Sequence, residues 1–227
     1  MKRYGNRTRV YVDRERKMTM TNVTEKRFPN VKDAVAFQVA FAPFVYSYGN
    51  VGWDEYERYA CTRCNYMEQF ADFLAPKSEC RKKDGAILQT YEYGVSIEIH
   101  DLLIENFDIT EKDFRPIRNK AGDIVFFQIT PQHIMLPLSD VNRVRKLKPC
   151  KKCGSVEYRI KGNKTKEDWE YYYISRETLD DLHDINRTYE EFGMHKPRYL
   201  VSRRVYDFLT ERYPRMAFAP FFLKENE

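Results

Sequence analysis

The residues best suited to chemistry are four cysteines, which form two Cys-x-x-Cys pairs, called knuckles below. The first pair is Cys61 and Cys64, and the second is Cys150 and Cys153. Two residues between cysteines allow a tight turn that directs both sulfurs at one ion, and two such turns complete a tetrahedral site. Zinc is its natural occupant. Because four thiolates leave no position for water, the spacing predicts structural rather than catalytic zinc.

The residue after each knuckle also fits such a turn. That position often needs a positive φ angle, which Gly adopts most readily and Asn next, and Gly154 and Asn65 stand there. Two other interpretations stay open. One is coincidence, and the other is a redox dithiol, which prefers a helix N-terminus in a βαβ unit that neither knuckle occupies. The fifth cysteine, Cys80, is expected to be a buried or idle thiol.

The remaining motifs give no sign of catalysis. The four histidines are scattered without metal-ligand spacing, and the chain has no Gly-rich phosphate loop, nucleophile elbow or Walker lysine. No acid, base and nucleophile set can be named, so the sequence predicts that the protein is not an enzyme. An enzyme with an unrecognised site stays open as a third interpretation.

The composition is typical of a folded protein. The chain has 227 residues, 42% hydrophobic and 15% aromatic, which predicts a single globular unit over residues 1–227. The net charge of +5 weakly favours an anionic partner. No apolar run is long enough for a membrane span or a signal segment, so we expect a cytoplasmic protein without a membrane partner. Cysteines in that reducing compartment are better metal ligands than disulfide partners.

The 85 residues between the knuckles predict a large β-rich insertion. Residues 86–99 and 124–130 are rich in Tyr, Val, Ile and Phe, which favours strands, and residues 101–107 favour a short helix. Before the first knuckle, residues 31–39 fit a helix or a strand almost equally. After the second knuckle, a hairpin is predicted from residues 156–160 and 169–174.

A C-terminal α/β module with strand, helix and strand is predicted from about residue 165 to 227. Its clearest helix is expected at 179–192, capped by Thr178. Apolar residues repeat there at helical spacing, namely Leu179, Leu182, Ile185, Tyr189 and Phe192. A strand at 198–201 then leads to Ser202, which is expected to cap a further helix, before an extended run over 216–224. The predicted fold class is therefore α+β, with zinc-ribbon knuckles, an insertion and this module.

Two charged segments and one aromatic run are candidate binding surfaces. Six cations surround the second knuckle, namely Arg143, Arg145, Lys146, Lys148, Lys151 and Lys152. They suit nucleic-acid phosphates, although a solvated loop that shields the thiolate charge is the favoured interpretation. The predicted 179–192 helix is acidic and expected to be solvated. Residues 169–173 contain Trp169 and three tyrosines and are expected to pack in the core.

The knuckles and the block from Pro197 to Leu209, which reads Pro-Arg-Tyr-Leu-Val-Ser-Arg-Arg-Val-Tyr-Asp-Phe-Leu, together resemble bacterial double-CxxCG-motif proteins. The resemblance covers about residues 55–223, and Asn65 stands where that family usually has Gly. Members of the family look like immunity proteins encoded beside polymorphic or contact-delivered toxins.

The resemblance implies that Cys61, Cys64, Cys150 and Cys153 hold zinc. It also implies stoichiometric binding that neutralises a cognate toxin protein, without identifying a residue that contacts the toxin. The alternative function is that of a zinc-ribbon nucleic-acid-binding protein, which would use the basic residues around the second knuckle and the basic N-terminus.

Overall fold

The computed structural model describes residues 24–25, 28, 30–39, 60–64, 66, 74–75, 88–89, 93–119, 121–138, 144–160, 172–192, 196–214 and 216–224. These residues mix helices with three sheets, so the α+β class is confirmed. The described strands are β1 Ala34–Val39, β2 Leu74–Ala75, β3 Leu88–Gln89, β4 Tyr93–Val95, β5 Phe114–Asn119, β6 Ile124–Ile129, β7 Val144–Lys146, β8 Tyr158–Ile160, β9 Tyr172–Ile174, β10 Ile185–Phe192, β11 Lys196–Ser202 and β12 Phe218–Leu223. The described α-helices are α1 Ile97–Asn106, α2 Arg176–Asp180 and α3 Arg203–Arg212.

The first sheet has five strands in the order β10-β11-β1-β12-β9. β1 lies at its centre and runs antiparallel to both β11 and β12. β9 is parallel to β12 at one edge, and β10 is antiparallel to β11 at the other. This order joins a strand from before the first knuckle to four strands from after the second.

The central strands of the first sheet bury side chains on both faces, since successive side chains of a strand point to opposite sides. On one face, Phe37 stacks on Tyr206 of α3 with ring centroids 3.6 Å apart, in a core shared with α1 and with β5 and β6. On the other face, Ala36, Leu200 and Phe221 form a second core, against which β7 and β8 pack.

The second sheet lies within the chain between the knuckles and has the order β2-β5-β6-β4-β3. β5 and β6 form its antiparallel centre, joined by a turn in which Gly122 has a φ of +89°. Ser96 caps α1 by accepting a hydrogen bond from the Ile99 amide at 3.3 Å. Ile99 and Leu103 of α1 are buried in the first core.

The helix predicted at 179–192 is wrong. Ser175, not Thr178, caps a short α2, and the chain then forms β10 from Ile185 onward. Alternate residues of β10 are buried, namely Asn186, Thr188, Glu190 and Phe192, whereas Tyr189, which a helix would bury, is 57% exposed. Pairing with β11 gives this segment a period of two and outweighs the helical spacing. The acidic solvated helix face is wrong for the same reason, since Glu190 is fully buried.

Two further predictions about strands need correction. The hairpin of 156–160 with 169–174 is wrong, because β8 pairs with β7 while β9 pairs in parallel with β12. The strand predicted over 86–99 covers β3 and β4 but ends at Val95, because the Ser96 cap starts α1 there. That helix therefore begins four residues before its predicted start at 101 and ends at Asn106.

Several other predictions are confirmed. Residues 31–33 form a 3-10 turn that leads into β1, which settles the ambiguous segment as mainly strand. β6 and β11 lie where strands were expected. The Ser202 hydroxyl accepts a hydrogen bond from the Val205 amide at 3.4 Å and caps α3. The extended C-terminal run forms β12, which lies between β1 and β9 in the first sheet. Among the described residues, no helix is long and apolar enough to cross a membrane.

Candidate metal centre

The second knuckle sits in the loop of the β7–β8 hairpin. The Leu147 amide donates to the Glu157 carbonyl at 2.9 Å, which continues the pairing of the two strands toward the loop. At the tip, the Cys150 amide donates to the Ser155 carbonyl at 2.9 Å, and the Gly154 amide donates back to the Cys150 carbonyl at 2.9 Å. This turn requires a left-handed residue, and Gly154 has a φ of +77°, as the sequence predicted.

The first knuckle repeats the same backbone pattern. Its Cys61 amide donates to the carbonyl of Tyr66 at 2.7 Å, five residues on, as Cys150 does to Ser155. Asn65, predicted to have a positive φ angle, lies outside the described residues. Both knuckles bring their cysteines to the same point, which is the arrangement that four-thiolate sites need.

All four sulfur atoms lie within 4.8 Å of one another. The Sγ atoms of Cys61 and Cys150 are 4.0 Å apart, and those of Cys64 and Cys153 are 3.5 Å apart. A regular tetrahedron with metal–sulfur bonds of ~2.3 Å has edges of ~3.8 Å, which these distances bracket. They are also much longer than the ~2.05 Å of a disulfide bond. The cluster therefore has the size of a tetrahedral thiolate metal site, and the four predicted ligand residues lie together in it.

Backbone amides prepare two of the thiols for deprotonation. Hydrogen bonds from the amides of Cys153 and Lys152 lower the pKa of Cys150 to about 6, against the opposing effect of burial. The amides of Arg63 and Cys64 likewise lower the pKa of Cys61. Because the thiolate is the form that binds metal, these amides favour ligation.

Cys64 differs from these two cysteines, because burial raises the pKa of its thiol to about 11. The Ser155 hydroxyl lies 3.4 Å from its sulfur and 3.0 Å from that of Cys153, and so links the two knuckles. A divalent cation at the centre of the cluster would supply the positive charge that a Cys64 thiolate needs.

A further polar contact joins the knuckles outside the cluster. The ammonium group of Lys152 donates to the hydroxyl of Thr62 at 2.7 Å. Cys153 is exposed, and the other three cysteines are half-buried. The site therefore lies at the surface, and the hairpin that carries it is anchored by Val144 and Tyr158, which pack against the second core.

Five of the six basic residues near the second knuckle are exposed. The sixth, Arg143, lies outside the described residues. The structure adds a cation that sequence reasoning missed. Arg63 of the first knuckle lines the same surface cavity as Lys148 and Lys151. Its position inside Cys-x-x-Cys was the only signal in the sequence that could have revealed this.

The described histidines lie elsewhere. His100 is buried, with its Nδ1 2.8 Å from Asp101 and its Nε2 3.2 Å from Glu111. His133 and His183 stack with ring centroids 3.9 Å apart. Among the described residues, the cysteine cluster is the only group of three or more ligand-type side chains close enough to share an ion. Cys80, His195, Trp169 and Tyr171 lie outside the described residues.

The evidence for a metal site is the geometry of the four cysteines, since comparison with known proteins found no match. Protein-family models, curated proteins and solved structures were compared with the chain, and none matches it.

Proposed function

We propose that the two knuckles form a zinc ribbon that holds one structural zinc ion. The observation that carries this proposal is the convergence of four sulfur atoms within 4.8 Å, from turns 89 residues apart. Zinc is preferred because an all-thiolate tetrahedral donor set selects it, together with iron–sulfur centres, over oxygen-binding cations. Four thiolates complete its coordination, so the ion would stabilise the fold without offering a position for substrate.

We further propose that the protein acts by stoichiometric binding, as an immunity protein that neutralises a cognate toxin protein. Two considerations support this. The knuckles and the Pro197–Leu209 block resemble those of double-CxxCG-motif proteins. The four free cysteines suit a reducing compartment such as the cytoplasm, where we propose that the protein acts.

An exposed apolar surface beside the edge of the first sheet supports binding to a protein partner. Ile134 forms an isolated bridge with Arg187 of β10, the edge strand, and two residues further along each segment stand Leu136 and Tyr189. Ile134, Leu136 and Tyr189 are 46%, 41% and 57% exposed. Clustered apolar and aromatic side chains are typical anchors of protein interfaces. We call these three residues the β10 patch.

The first test is co-purification of the protein with the product of the neighbouring gene, with zinc measured on the same sample. We expect a complex that contains one zinc ion per chain. Leu136→Asp should weaken it at least ~30-fold, the loss of ~2 kcal/mol that removing an interface anchor causes.

Ile97→Asp is the matched control, because Ile97 of α1 is 40% exposed and lies outside the β10 patch. It should leave the affinity unchanged. Equal losses for both variants would contradict the β10 patch as the binding surface. A zinc-loaded protein that forms no complex with the neighbouring gene product would contradict the immunity function while leaving the zinc site intact.

A further inference from the structure

The surface cavity beside the cysteine cluster has three cations among the described residues that line it. Its volume is about 290 Å³, and it is bounded by parts of both knuckles and of the hairpin. Arg63 enters from the first knuckle, and Lys148 and Lys151 enter from the segment around the second. Three positive side chains therefore meet there although 85 residues of sequence separate Arg63 from Lys148.

These cations are not matched by carboxylates in the described part of the chain. Among the described residues that line the cavity, Glu157 alone is acidic. Its carboxylate lies 3.6 Å from the guanidinium of Arg159, so its charge is already engaged. Arg63, Lys148 and Lys151 are exposed, and the described carboxylates form no ion pair with them.

The shape and chemistry of the cavity suit one class of ligand. Leu147 and Pro149 supply an apolar wall, whereas the guanidinium fork of Arg63 matches the oxygens of a phosphate group. The two lysine ammonium groups add positive charge but, unlike a guanidinium, impose no fixed hydrogen-bond geometry. A tetrahedral oxyanion carrying more than one negative oxygen is the ligand that this arrangement fits.

We propose that this cavity is a binding site for a phosphate group, carried by a nucleotide or by a nucleic-acid chain. The function goes beyond toxin binding and uses a different surface from the β10 patch. A second role for the same cations would be to offset the negative charge of the four thiolates. Replacing a cation with a neutral residue distinguishes the two roles. The replacement would weaken phosphate binding in the first role, and it would reduce zinc retention in the second.

The test measures binding of a fluorescent single-stranded 20-nucleotide oligonucleotide to the zinc-loaded protein between 50 and 200 mM salt. Three phosphate-contacting cations predict a slope of log affinity against log salt of about −2, which is a loss of about 20-fold over this range. Each of Arg63→Gln, Lys148→Gln and Lys151→Gln should make the slope less steep by about 0.7. Lys112→Gln is the matched control, because Lys112 is an exposed lysine on a 3-10 turn of the insertion and does not line the cavity.

Competition identifies the source of the phosphate. Displacement of the oligonucleotide by inorganic phosphate or ATP at equal concentrations of phosphate groups would assign the site to free phosphates. Displacement by unlabelled oligonucleotide alone would assign it to a nucleic-acid chain. Both results support the proposal. It would be overturned if polyglutamate of equal charge competed as well as the oligonucleotide. Cavity variants that bind like Lys112→Gln, or that lose zinc while keeping their oligonucleotide affinity, would also overturn it.

Discussion

Replacing Cys150 with Ser should remove the zinc ion and destabilise the whole fold. Zinc at the cluster would link Cys61 to Cys150, which are 89 residues apart in the chain. Closing a loop of that length restricts the unfolded chain by about 4.6 kcal/mol in the loop-entropy model used for disulfide bonds. Because domains of this kind are stable by only about 5–15 kcal/mol, the loss would remove between about 30% and 90% of the total.

The assay is urea unfolding followed by circular dichroism, with zinc content measured on the same samples. At a urea dependence of about 3 kcal/mol per molar, a loss of 4.6 kcal/mol moves the midpoint by about 1.5 M. An excess of chelator should lower the midpoint of the unaltered protein by the same amount and leave Cys150→Ser unaffected, because binding and folding are coupled. Cys80→Ser is the control and should keep one zinc ion per chain. A Cys150→Ser protein that retains its zinc and its midpoint would refute the reasoning.

Two predictions concern pH and the carboxyl groups of Asp184, which is buried, and Glu191, which is half-buried. Burial alone would raise the pKa of Asp184, but hydrogen bonds from Arg204, Ser202 and the Asp108 amide hold it below its ordinary value. This stabilisation is present above about pH 4 and is lost as pH falls through the lowered pKa. Asp184→Asn should therefore cost about 3 kcal/mol of stability at pH 7, and the stability of the variant should fall less steeply toward acid pH. Burial raises the pKa of Glu191 to about 7. The folded state should therefore lose stability as pH rises from about 4.5 to 7. At pH 8, Glu191→Gln should be more stable than the unaltered protein by about 1–3 kcal/mol.

Both pH predictions are checked by urea unfolding at pH 3 to 8. Arg212→Gln is a control for the first, since Arg212 pairs with Glu211 on the exposed face of α3. An Asp184→Asn protein that loses stability toward acid as steeply as the unaltered protein would contradict the role of Asp184. A Glu191→Gln protein that is no more stable at pH 8 than at pH 5, relative to the unaltered protein, would contradict the role of Glu191.

Local signals in the sequence predicted the elements that depend on neighbouring residues. Ser202 caps α3 because its hydroxyl reaches an amide three residues on, and such a contact is visible in the spacing alone. Gly154 adopts its positive φ because the turn after Cys153 requires one. The α+β class followed from the same kind of signal, whereas the single globular unit over residues 1–227 stays a prediction.

Pairing between strands could not be predicted in the same way, even where the two strands are neighbours in the chain. Ile185 and Phe192 have helical spacing, but β11 offers this segment a partner strand, and the sheet then buries Asn186 and Glu190 on a period of two. Glu190 tolerates burial because its carboxylate accepts from the Leu138 amide at 3.0 Å. Leu138 is 52 residues from Glu190 in the chain, so the sequence around Glu190 does not reveal this contact and instead predicts a solvated acidic face.

The candidate metal centre was predictable for a reason that does not extend to the surface around it. A cysteine in Cys-x-x-Cys indicates its role by its type and spacing, so the four ligand candidates could be named before their positions were known. The role of an arginine depends on which segment it meets, and Arg63 meets Lys148 and Lys151 only because the two knuckles converge. The cavity is therefore a consequence of the cysteine cluster. If zinc holds the knuckles together, Cys150→Ser should abolish phosphate binding as well as zinc binding, whereas Arg63→Gln should weaken phosphate binding alone.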